Sequence, residues 1–416
     1  MSLDIVFVGL LPPHRGGGGI SCGELVAGLA RLGHRVRALA PIAEEEWLMG
    51  DAFAAAHPEL EVRRFLVPSY TIDPTMTPRD HYRQLEHRQI AATVPAMIAE
   101  ARPDVILIGR GTFALDVPDI ARAHGIPVAL RSAGSTALGI LDGFFPDRLS
   151  QQMLNQYRQL DLIVCPATHL AERLRQVGLF TVKVIPNAID LRRFSPQPRN
   201  EALLRKLAIP SDVPLILHAS NLKPFKRPLD LVTAARNALS HGAKIMVVIV
   251  GDGPLRSVME EAARNEGVVD HFRFVGWVEY DEMPVYINLA DIVVMPSEGE
   301  GLSRVYLETM ACGRMLLASD IPAAREVIID GETGLLFRKG DVDELARKLR
   351  TIAAQPEARA EIGRRAEARA RRHSLERALV DYAETLADLL RSQSPASAPG
   401  DPRPAYRASF APRASG

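Results

Sequence analysis

The chain has 416 residues, which is too long for one ordinary hydrophobic core and favours two domains, with three as the alternative. Hydrophobic residues make up 47% and charged residues 24%, a composition typical of a globular protein in water. Lys plus Arg and Asp plus Glu number 50 each, so the net charge is zero and gives the protein as a whole no attraction for nucleic acid.

The cysteines and the first residues indicate the compartment. Cys22, Cys165 and Cys312 lie far apart, without metal-ligand spacing, so we expect no metal site and no disulfide framework. Residues 1–19 lack a basic region followed by a long apolar stretch, which predicts neither a signal peptide nor a membrane span. We therefore expect a cytoplasmic protein and leave open peripheral contact with the inner face of a membrane.

Short apolar runs alternate with helical stretches, the pattern of an α/β chain with parallel sheets. A helix is predicted over residues 20–32, and Gly33 is suited to end it. Residues 44–100 contain no motif that can be read. Strands of the first half are expected at 5–9, 36–40, 105–108, 128–130, 162–165 and 182–185.

The alternation restarts after a polar stretch over 192–200, whose two prolines predict a linker. Strands are expected at 215–219, 245–250, 272–275, 292–295, 316–318 and 335–337, and helices over 341–372 and 375–390. The prediction is two Rossmann-like, doubly wound domains facing a central cleft, residues 1–198 and 199–372, followed by a helix at 373–391. The composition of 392–416, rich in Pro, Ala, Ser and Gly, predicts a disordered tail.

Two loops at strand ends carry groups suited to phosphate. Gly16 to Gly19 follow the first strand and open a helix, where amides and the helix dipole could meet an anion, although a flexible turn is the alternative. The spacing matches neither a Walker loop nor G-x-G-x-x-G, which argues against NAD. Lys223, Lys226 and Arg227 follow the strand at 215–219 and suit a diphosphate, although a solvated basic loop is the alternative.

The segment from Pro296 to Glu308 carries the strongest signal. A helix is expected to begin near Leu302, which places Glu300 in the loop before it and Glu308 roughly two turns into it. Carboxylates accept paired hydrogen bonds from vicinal sugar hydroxyls, and first-turn amides can bind phosphate. Favourable charge at a helix N-terminus would explain Glu298 and Glu300 but not Glu308.

This segment resembles the E-x7-E signature of the retaining GT-B glycosyltransferases of family 4. Further segments resemble the family in the same order: VIPNAIDLRRFSP, VGDGP, FVGWV, ADIVVMPS and EVIIDGETGLLF. The resemblance covers nearly everything except the tail. It implies that the last helix crosses back to the first, acceptor-side domain. It also implies transfer with retention from a nucleoside diphosphate sugar, expected to be UDP-linked, to an acceptor that the sequence leaves unidentified, with no metal and no other cofactor.

The resemblance also assigns roles. Lys226 would contact the diphosphate and Glu300 the donor sugar, which makes them the expected catalytic residues, while Glu308 would bind the ribose. The other expected donor-binding residues are Gly17, Gly18, Asn221, Lys223, Gly251, Gly253, Pro254, Val275, Gly301, Leu302 and Ser303.

Two departures from the family pattern bear on the donor. Asn221 stands where many relatives have an arginine, and Lys223 could supply the second cation. Ala133 stands where the family has a histidine that touches the donor sugar. Arg131 or Arg110 could instead meet an acidic sugar such as glucuronic acid. A sugar-nucleotide-binding protein without turnover and an epimerase of the same fold are the alternatives to a transferase.

Overall fold

The computed structural model describes residues 2–14, 16–48, 50–67, 79–143 and 145–393. Within these ranges the strands form two parallel sheets, one from each half of the chain. The predicted tail lies outside the described residues, apart from its first two positions, which belong to the last helix.

The first sheet has seven strands in the order β3-β2-β1-β4-β5-β6-β7. Its strands are β1 (Asp4–Val8), β2 (Arg35–Ala43), β3 (Glu61–Val67), β4 (Val105–Ile108), β5 (Val128–Arg131), β6 (Leu162–Cys165) and β7 (Val182–Val184). The sequence prediction missed β3, an edge strand that pairs with β2 alone. Its run EVRRFLV is charged and partly exposed, so it lacks the continuous apolar run of a buried parallel strand.

The second sheet has six strands in the order β10-β9-β8-β11-β12-β13. Its strands are β8 (Leu215–Ala219), β9 (Met246–Val250), β10 (Phe272–Gly276), β11 (Ile292–Met295), β12 (Met315–Ser319) and β13 (Leu335–Phe337). All six lie within a residue or two of the predicted positions, because each is a short, buried apolar run.

Helices cover both sheets. They are α1 (Gly17–Arg31), α2 (Glu44–Leu48), α3 (Ala52–Ala56), α4 (Arg79–Glu100), α5 (Val117–Ala123), α6 (Ser135–Leu141), α7 (Asp147–Tyr157), α8 (Thr168–Gln176), α9 (Glu201–Lys206), α10 (Pro228–Ser240), α11 (Arg256–Asn265), α12 (Met283–Leu289), α13 (Arg304–Ala311), α14 (Pro322–Val327), α15 (Val342–Ala353), α16 (Pro356–Ala370) and α17 (Leu375–Gln393). The helical stretch predicted over 341–372 is two helices, because Pro356 begins a new one. None of the described helices combines the length and the apolar character that crossing a bilayer requires.

The order of the strands positions the candidate site. In each sheet the chain reverses its winding between two neighbouring strands, β1 and β4 in the first and β8 and β11 in the second. Ligands of open α/β sheets bind at the carboxyl ends of the strands at such points. The last helix, α17, returns to the first sheet's layer, where a Cβ atom built on Gly28 of α1 would lie 2.3 Å from Leu379.

Candidate functional site

A cleft of about 870 Å³ lies between the carboxyl ends of the two sheets. Its volume falls within the range of small-molecule sites. Both halves of the chain contribute to it. The first half supplies the glycine loop, the loop after β5 and part of α8, and the second supplies the loops after β8, β9, β10, β11 and β12. We call these two sides the N-terminal wall and the C-terminal wall.

A buried ion pair occupies the centre of the C-terminal wall. Lys226 Nζ lies 2.5 Å from Glu300 Oε1, and the Ser297 hydroxyl donates to the same oxygen at 2.8 Å. The two charged side chains are 13% and 9% exposed, so solvent screens them little. The amide of Glu298 donates to Phe225 O at 2.7 Å, which ties the loop after β8 to the loop after β11. The arrangement places one cation and one carboxylate side by side at the sheet's switch point.

The loop over residues 299–303 leads into α13, which begins at Arg304. The residue before it, Ser303, makes no side-chain capping hydrogen bond. The first amides of the helix are therefore left for another acceptor, and the helix dipole favours an anion there.

Glu308 lies on α13 with its side chain 4% exposed. Arg304 Nε is 3.4 Å from Glu308 Oε1, and the hydroxyl of Tyr280 donates to the Glu308 carboxylate. Burial raises the pKa of Glu308, the Arg304 guanidinium opposes that rise, and the nearby Glu24 carboxylate adds to it. Burial also raises the pKa of Tyr280 well above its usual range, so its phenol keeps its proton to donate.

The N-terminal wall is built differently. The glycine loop leads into α1 at Gly17, whose carbonyl accepts from the Ser21 hydroxyl at 2.6 Å. The guanidinium of Arg131 donates to Ser21 Oγ at 2.9 Å, and it also contacts Cys22 Sγ and Asn187 Oδ1, both at 3.5 Å. The phenol of Tyr382, on α17, hydrogen-bonds to it as well. Arg131 is 5% exposed, and each of these partners is neutral.

The other arginine considered for an acidic sugar has a carboxylate partner. Arg110 Nη1 donates to Glu86 Oε1 at 2.5 Å, and the Glu86 side chain is 7% exposed. This pairing leaves Arg131 as the better placed of the two to act on an anion in the cleft.

The two walls touch at two glycines. A Cβ atom built on Gly134 would lie 2.6 Å from Gly301 Cα, and one built on Gly301 would lie 2.7 Å from Gly134 Cα. Such contacts leave no room for a side chain at either position. The neighbouring Ala133 is exposed and lines the cleft beside this contact.

The structure brings most of the sequence-predicted residues together. Those that line the cleft are Gly17, Gly18, Asn221, Lys226, Gly251, Glu300, Gly301, Leu302, Ser303 and Glu308. Four others are not among the described lining residues: Lys223, Gly253, Pro254 and Val275. Gly253 packs behind the wall, since a Cβ atom there would lie 2.0 Å from Asn221 O.

Sequence reasoning missed several residues of the site. Tyr280 gave no signal, because a lone tyrosine in a loop is unremarkable until its neighbours are known. Ser297 lies in the segment from Pro296 to Glu308, but the sequence assigned it no role. Arg304 could have been found, since it precedes Glu308 by four residues, the spacing at which helix side chains meet. No group of three His, Cys, Asp or Glu side chains within the described residues is placed to hold a metal ion.

Comparison with protein families assigns both halves. Residues 15–193 match the model described as Glycosyltransferase Family 4, and residues 199–369 match Glycosyl transferases group 1. The chain belongs to the family 4, group 1 glycosyltransferases, enzymes that act on nucleotide sugars.

Named relatives are similar over much of the chain. A GDP-mannose-dependent alpha-(1-6)-phosphatidylinositol monomannoside mannosyltransferase of Mycobacterium tuberculosis is 29% identical over 83% of this chain and 88% of its own length. A 2-deoxystreptamine N-acetyl-D-glucosaminyltransferase of Streptomyces fradiae is 27% identical over 59% of this chain and 62% of its own. A D-inositol 3-phosphate glycosyltransferase of Nocardiopsis dassonvillei is 29% identical over 49% of this chain and 50% of its own.

Solved structures share the fold. Anabaena HepE in complex with UDP and glucose has a TM-score of 0.76 at 18% identity, over 92% of this chain and 100% of its own. The sucrose-phosphate synthase of Thermosynechococcus elongatus has a TM-score of 0.77 at 18% identity, over 94% of this chain and 100% of its own. These similarities confirm the GT-B architecture expected from the sequence.

Proposed function

We propose that this glycosyltransferase transfers a hexose, with retention of anomeric configuration, from a nucleoside diphosphate to a hydroxyl of a cyclitol-containing acceptor. The observation that carries the donor half is the C-terminal wall, where Lys226, Glu300, Glu308 and the start of α13 converge on one face of the cleft. This set supplies a cation and free amides for a diphosphate, and two carboxylates for two sugars.

The two carboxylates have different surroundings, which suits different roles. Glu308 is deep in the C-terminal wall with Arg304 and Tyr280 beside it, and we assign it to the ribose hydroxyls. Glu300 is in the loop beside Lys226, and we assign it to the transferred sugar. In the complex Lys226 would turn from Glu300 toward the diphosphate, because the leaving group carries the larger negative charge.

The reaction depends mainly on electrostatic stabilisation of the leaving group. As the glycosidic bond breaks, electrons pass to the diphosphate oxygen, and Lys226 with the amides of Gly301 to Ser303 would stabilise that charge. The anomeric carbon becomes oxocarbenium-like, and the acceptor hydroxyl attacks from the face that the diphosphate leaves. Its proton passes to a phosphate oxygen, so we assign no protein general base. Contact between the walls at Gly134 and Gly301 would exclude water from this step.

The relatives guide the choice of donor and acceptor. We rank GDP-mannose first, because a relative aligned over 83% of this chain is named as GDP-mannose-dependent. A UDP-sugar, the expectation from the sequence, is the second candidate. Inositol and 2-deoxystreptamine, which appear in the relatives' names, are both six-membered carbocyclic polyols. We therefore propose an acceptor of that class, reached in the cytoplasm or at the inner face of a membrane.

A donor panel tests the proposal. Purified protein is given GDP-mannose, UDP-glucose, UDP-N-acetylglucosamine or UDP-glucuronate with myo-inositol, inositol phosphate or phosphatidylinositol vesicles, and released nucleotide is measured. We expect acceptor-dependent release from one nucleotide class, and an α-linked product by NMR. A donor altered without an acceptor would indicate an epimerase instead.

A thermal-shift measurement with the preferred donor tests the site separately. Glu308→Gln keeps the size of the side chain and removes its charge, and we expect it to abolish the thermal stabilisation that the preferred donor gives the wild type. Unchanged stabilisation in Glu308→Gln and in Lys226→Met would overturn the donor site.

A further inference from the structure

Arg304, the first residue of α13, is 9% exposed and contacts groups from several distant segments. Its Nη1 lies 2.8 Å from Glu24 Oε2 and its Nη2 lies 3.3 Å from Glu24 Oε1, a two-point contact. Nη1 also donates to Ala188 O at 3.1 Å, and Nη2 to the hydroxyl of Tyr280. On its remaining side, Nε faces Glu308 at 3.4 Å.

These contacts cross from one wall of the cleft to the other. Arg304 and Glu308 belong to the second half of the chain, whereas Glu24 lies on α1, whose first turn is the glycine loop. A Cβ atom on Gly17 would lie 3.5 Å from Arg304 Cδ, so the arginine stem also runs against that loop. A second crossing contact lies nearby, where Asn187 Nδ2 donates to Leu302 O at 2.7 Å.

The charges explain why the crossing matters for the ligand. One guanidinium lies between two carboxylates, Glu24 on the opposite wall and Glu308 on its own helix, with side chains 16% and 4% exposed. A charge that is buried this deeply is stable only while its partners stay in place. Separation of the walls would take Glu24 away from Arg304 and leave Glu308 as the carboxylate partner of the guanidinium, in competition with the ribose hydroxyls.

We propose that Arg304 is a positioning residue that couples donor binding to closure of the cleft, with Glu24 as its partner across the walls. In the closed state Glu24 holds the guanidinium, so Arg304 competes less with the ribose for the Glu308 carboxylate. In the open state the guanidinium turns to Glu308 and weakens nucleotide binding. The inference rests on the proposed function, in which Glu308 is the ribose ligand.

Nucleotide affinity and cleft closure test the coupling together. Trp277 lines the cleft and Trp47 does not, so Trp47→Phe gives a background in which Trp277 fluorescence reports binding of GDP or UDP. In that background we expect Glu24→Gln to weaken nucleoside diphosphate binding about tenfold and to reduce the contraction on binding seen by small-angle scattering. Arg304→Met should reduce the contraction equally but weaken binding less than Glu24→Gln, because it also removes the guanidinium that competes for Glu308. The double variant should match Arg304→Met, because partners that act as a unit are non-additive.

A matched pair within one domain provides the control. Arg236 on α10 and Glu266, the residue that follows α11, form a partly exposed ion pair, with 2.9 Å between Nε and Oε2. Glu266→Gln removes the same charge without touching the cleft and should leave affinity within twofold of the wild type. Equal affinity in Glu24→Gln and Glu266→Gln, or additive effects of Glu24→Gln and Arg304→Met, would overturn the coupling.

Nucleotide affinity should fall at low pH as Glu308 takes up a proton. The pH at which it falls, the acid limb of the profile, separates an effect on Glu308 from a loss of folding. The charged and titratable groups that face Glu308 are Arg304 on its own helix, Glu24 from α1, Tyr280 from the loop after β10, and Cys312, whose pKa is raised to about 12 by burial. Because Arg304 favours the charged form of Glu308 and Glu24 disfavours it, Arg304→Met should move the acid limb to higher pH and Glu24→Gln to lower pH. Shifts in the same direction would contradict the proposal.

Failure of this inference is distinguishable from failure of the proposed function. A wild type that binds neither GDP nor UDP contradicts the donor site itself. A wild type that binds one of them, loses it in Glu308→Gln and keeps it in Glu24→Gln supports the donor site and contradicts the coupling. Circular dichroism and the melting temperature of each variant show whether it is folded before either conclusion is drawn.

Discussion

The two walls of the cleft differ in the partners of their buried charged side chains. On the C-terminal wall cations and carboxylates are paired with one another, as Lys226 with Glu300 and Arg304 with Glu308. On the N-terminal wall Arg131 is buried among a serine, a cysteine, an asparagine and a tyrosine. The C-terminal wall is suited to exchange its internal partners for a ligand, whereas Arg131 on the N-terminal wall carries a positive charge that no carboxylate among these contacts offsets.

The difference shows how the protein can divide the work of binding an anion. A paired cation is neutralised until the ligand arrives, so its charge is compensated while the site is empty. An unpaired buried cation gives a constant field whether or not the site is filled. The following predictions separate the two contributions, beginning with the largest effect.

Lys226→Met should have the largest effect on turnover. It removes the cation expected to stabilise the leaving diphosphate, and loss of one such group costs on the order of 10²–10³ in kcat. Released nucleotide measured at saturating donor gives this number. Lys244, an exposed lysine that precedes β9 at the opposite end of the sheet, supplies the control, and Lys244→Met should match the wild type. A kcat of Lys226→Met within threefold of the wild-type value would show that Lys226 on the C-terminal wall does not stabilise the leaving group.

The C-terminal wall was also the one whose residues the sequence could predict. Its residues follow strands that are continuous apolar runs, and Glu300 and Glu308 lie within nine positions of each other, so local spacing fixes their relation. The partners of Arg131 lie on α1, at Asn187 and on α17, which only the tertiary fold brings together. The edge strand β3 was missed for a related reason, since pairing with β2 forms it rather than its own pattern.

Gly134→Ala should show that the two walls must touch. The substitution places a Cβ atom 2.6 Å from Gly301 Cα at a backbone φ of +95°, so the walls cannot close as they do here. Displacing reacting groups by about 1 Å can lower the rate on the order of 10²-fold, and we expect kcat/KM to fall by about that much.

A second glycine provides the control for backbone strain at a positive φ. Gly178 has a φ of +83° and nothing within 4 Å of its Cβ position, so Gly178→Ala carries similar strain without the clash. Both variants should lose about 1–2 kcal/mol of stability, and only Gly134→Ala should lose activity. Equal activity in the two variants would mean that catalysis does not need this contact.

Arg131→Met tests the contribution of the N-terminal wall, and we expect a smaller loss of about tenfold in kcat/KM, equivalent to roughly 1.4 kcal/mol. The thioether side chain fills similar space without the charge. Ser21→Ala is the matched variant, because it removes the hydroxyl between Arg131 and Gly17 O but keeps the charge, and it should lose less than threefold. Steady-state rates with the preferred donor decide between them. Equal losses would mean that Arg131 acts by holding the glycine loop rather than through its field.

His218, which lies beneath the C-terminal wall, is expected to affect stability rather than turnover. Its ring is fully buried on β8, with Nδ1 2.9 Å from Val294 O and Nε2 2.8 Å from Ser220 Oγ. Burial lowers the pKa of His218 to about 4, a hydrogen bond to Val294 opposes this, and Lys226 adds to it. The native state therefore keeps the ring neutral, while the unfolded chain takes up a proton near pH 6.5.

The sign of the pH dependence follows from that lowered pKa. The stability contributed by neutral His218 is fully present above about pH 6.5 and is lost as pH falls toward 4, by roughly 2 kcal/mol at pH 5. Urea unfolding followed by tryptophan fluorescence at pH 7.5 and pH 5 should show this loss of stability in the wild type. In His218→Asn the loss between the two pH values should be smaller by about 2 kcal/mol. The exposed His241 provides the control substitution. An equal loss of stability in His218→Asn would mean that the acid sensitivity arises elsewhere. The C-terminal wall would then not depend on the neutral ring of His218 beneath it.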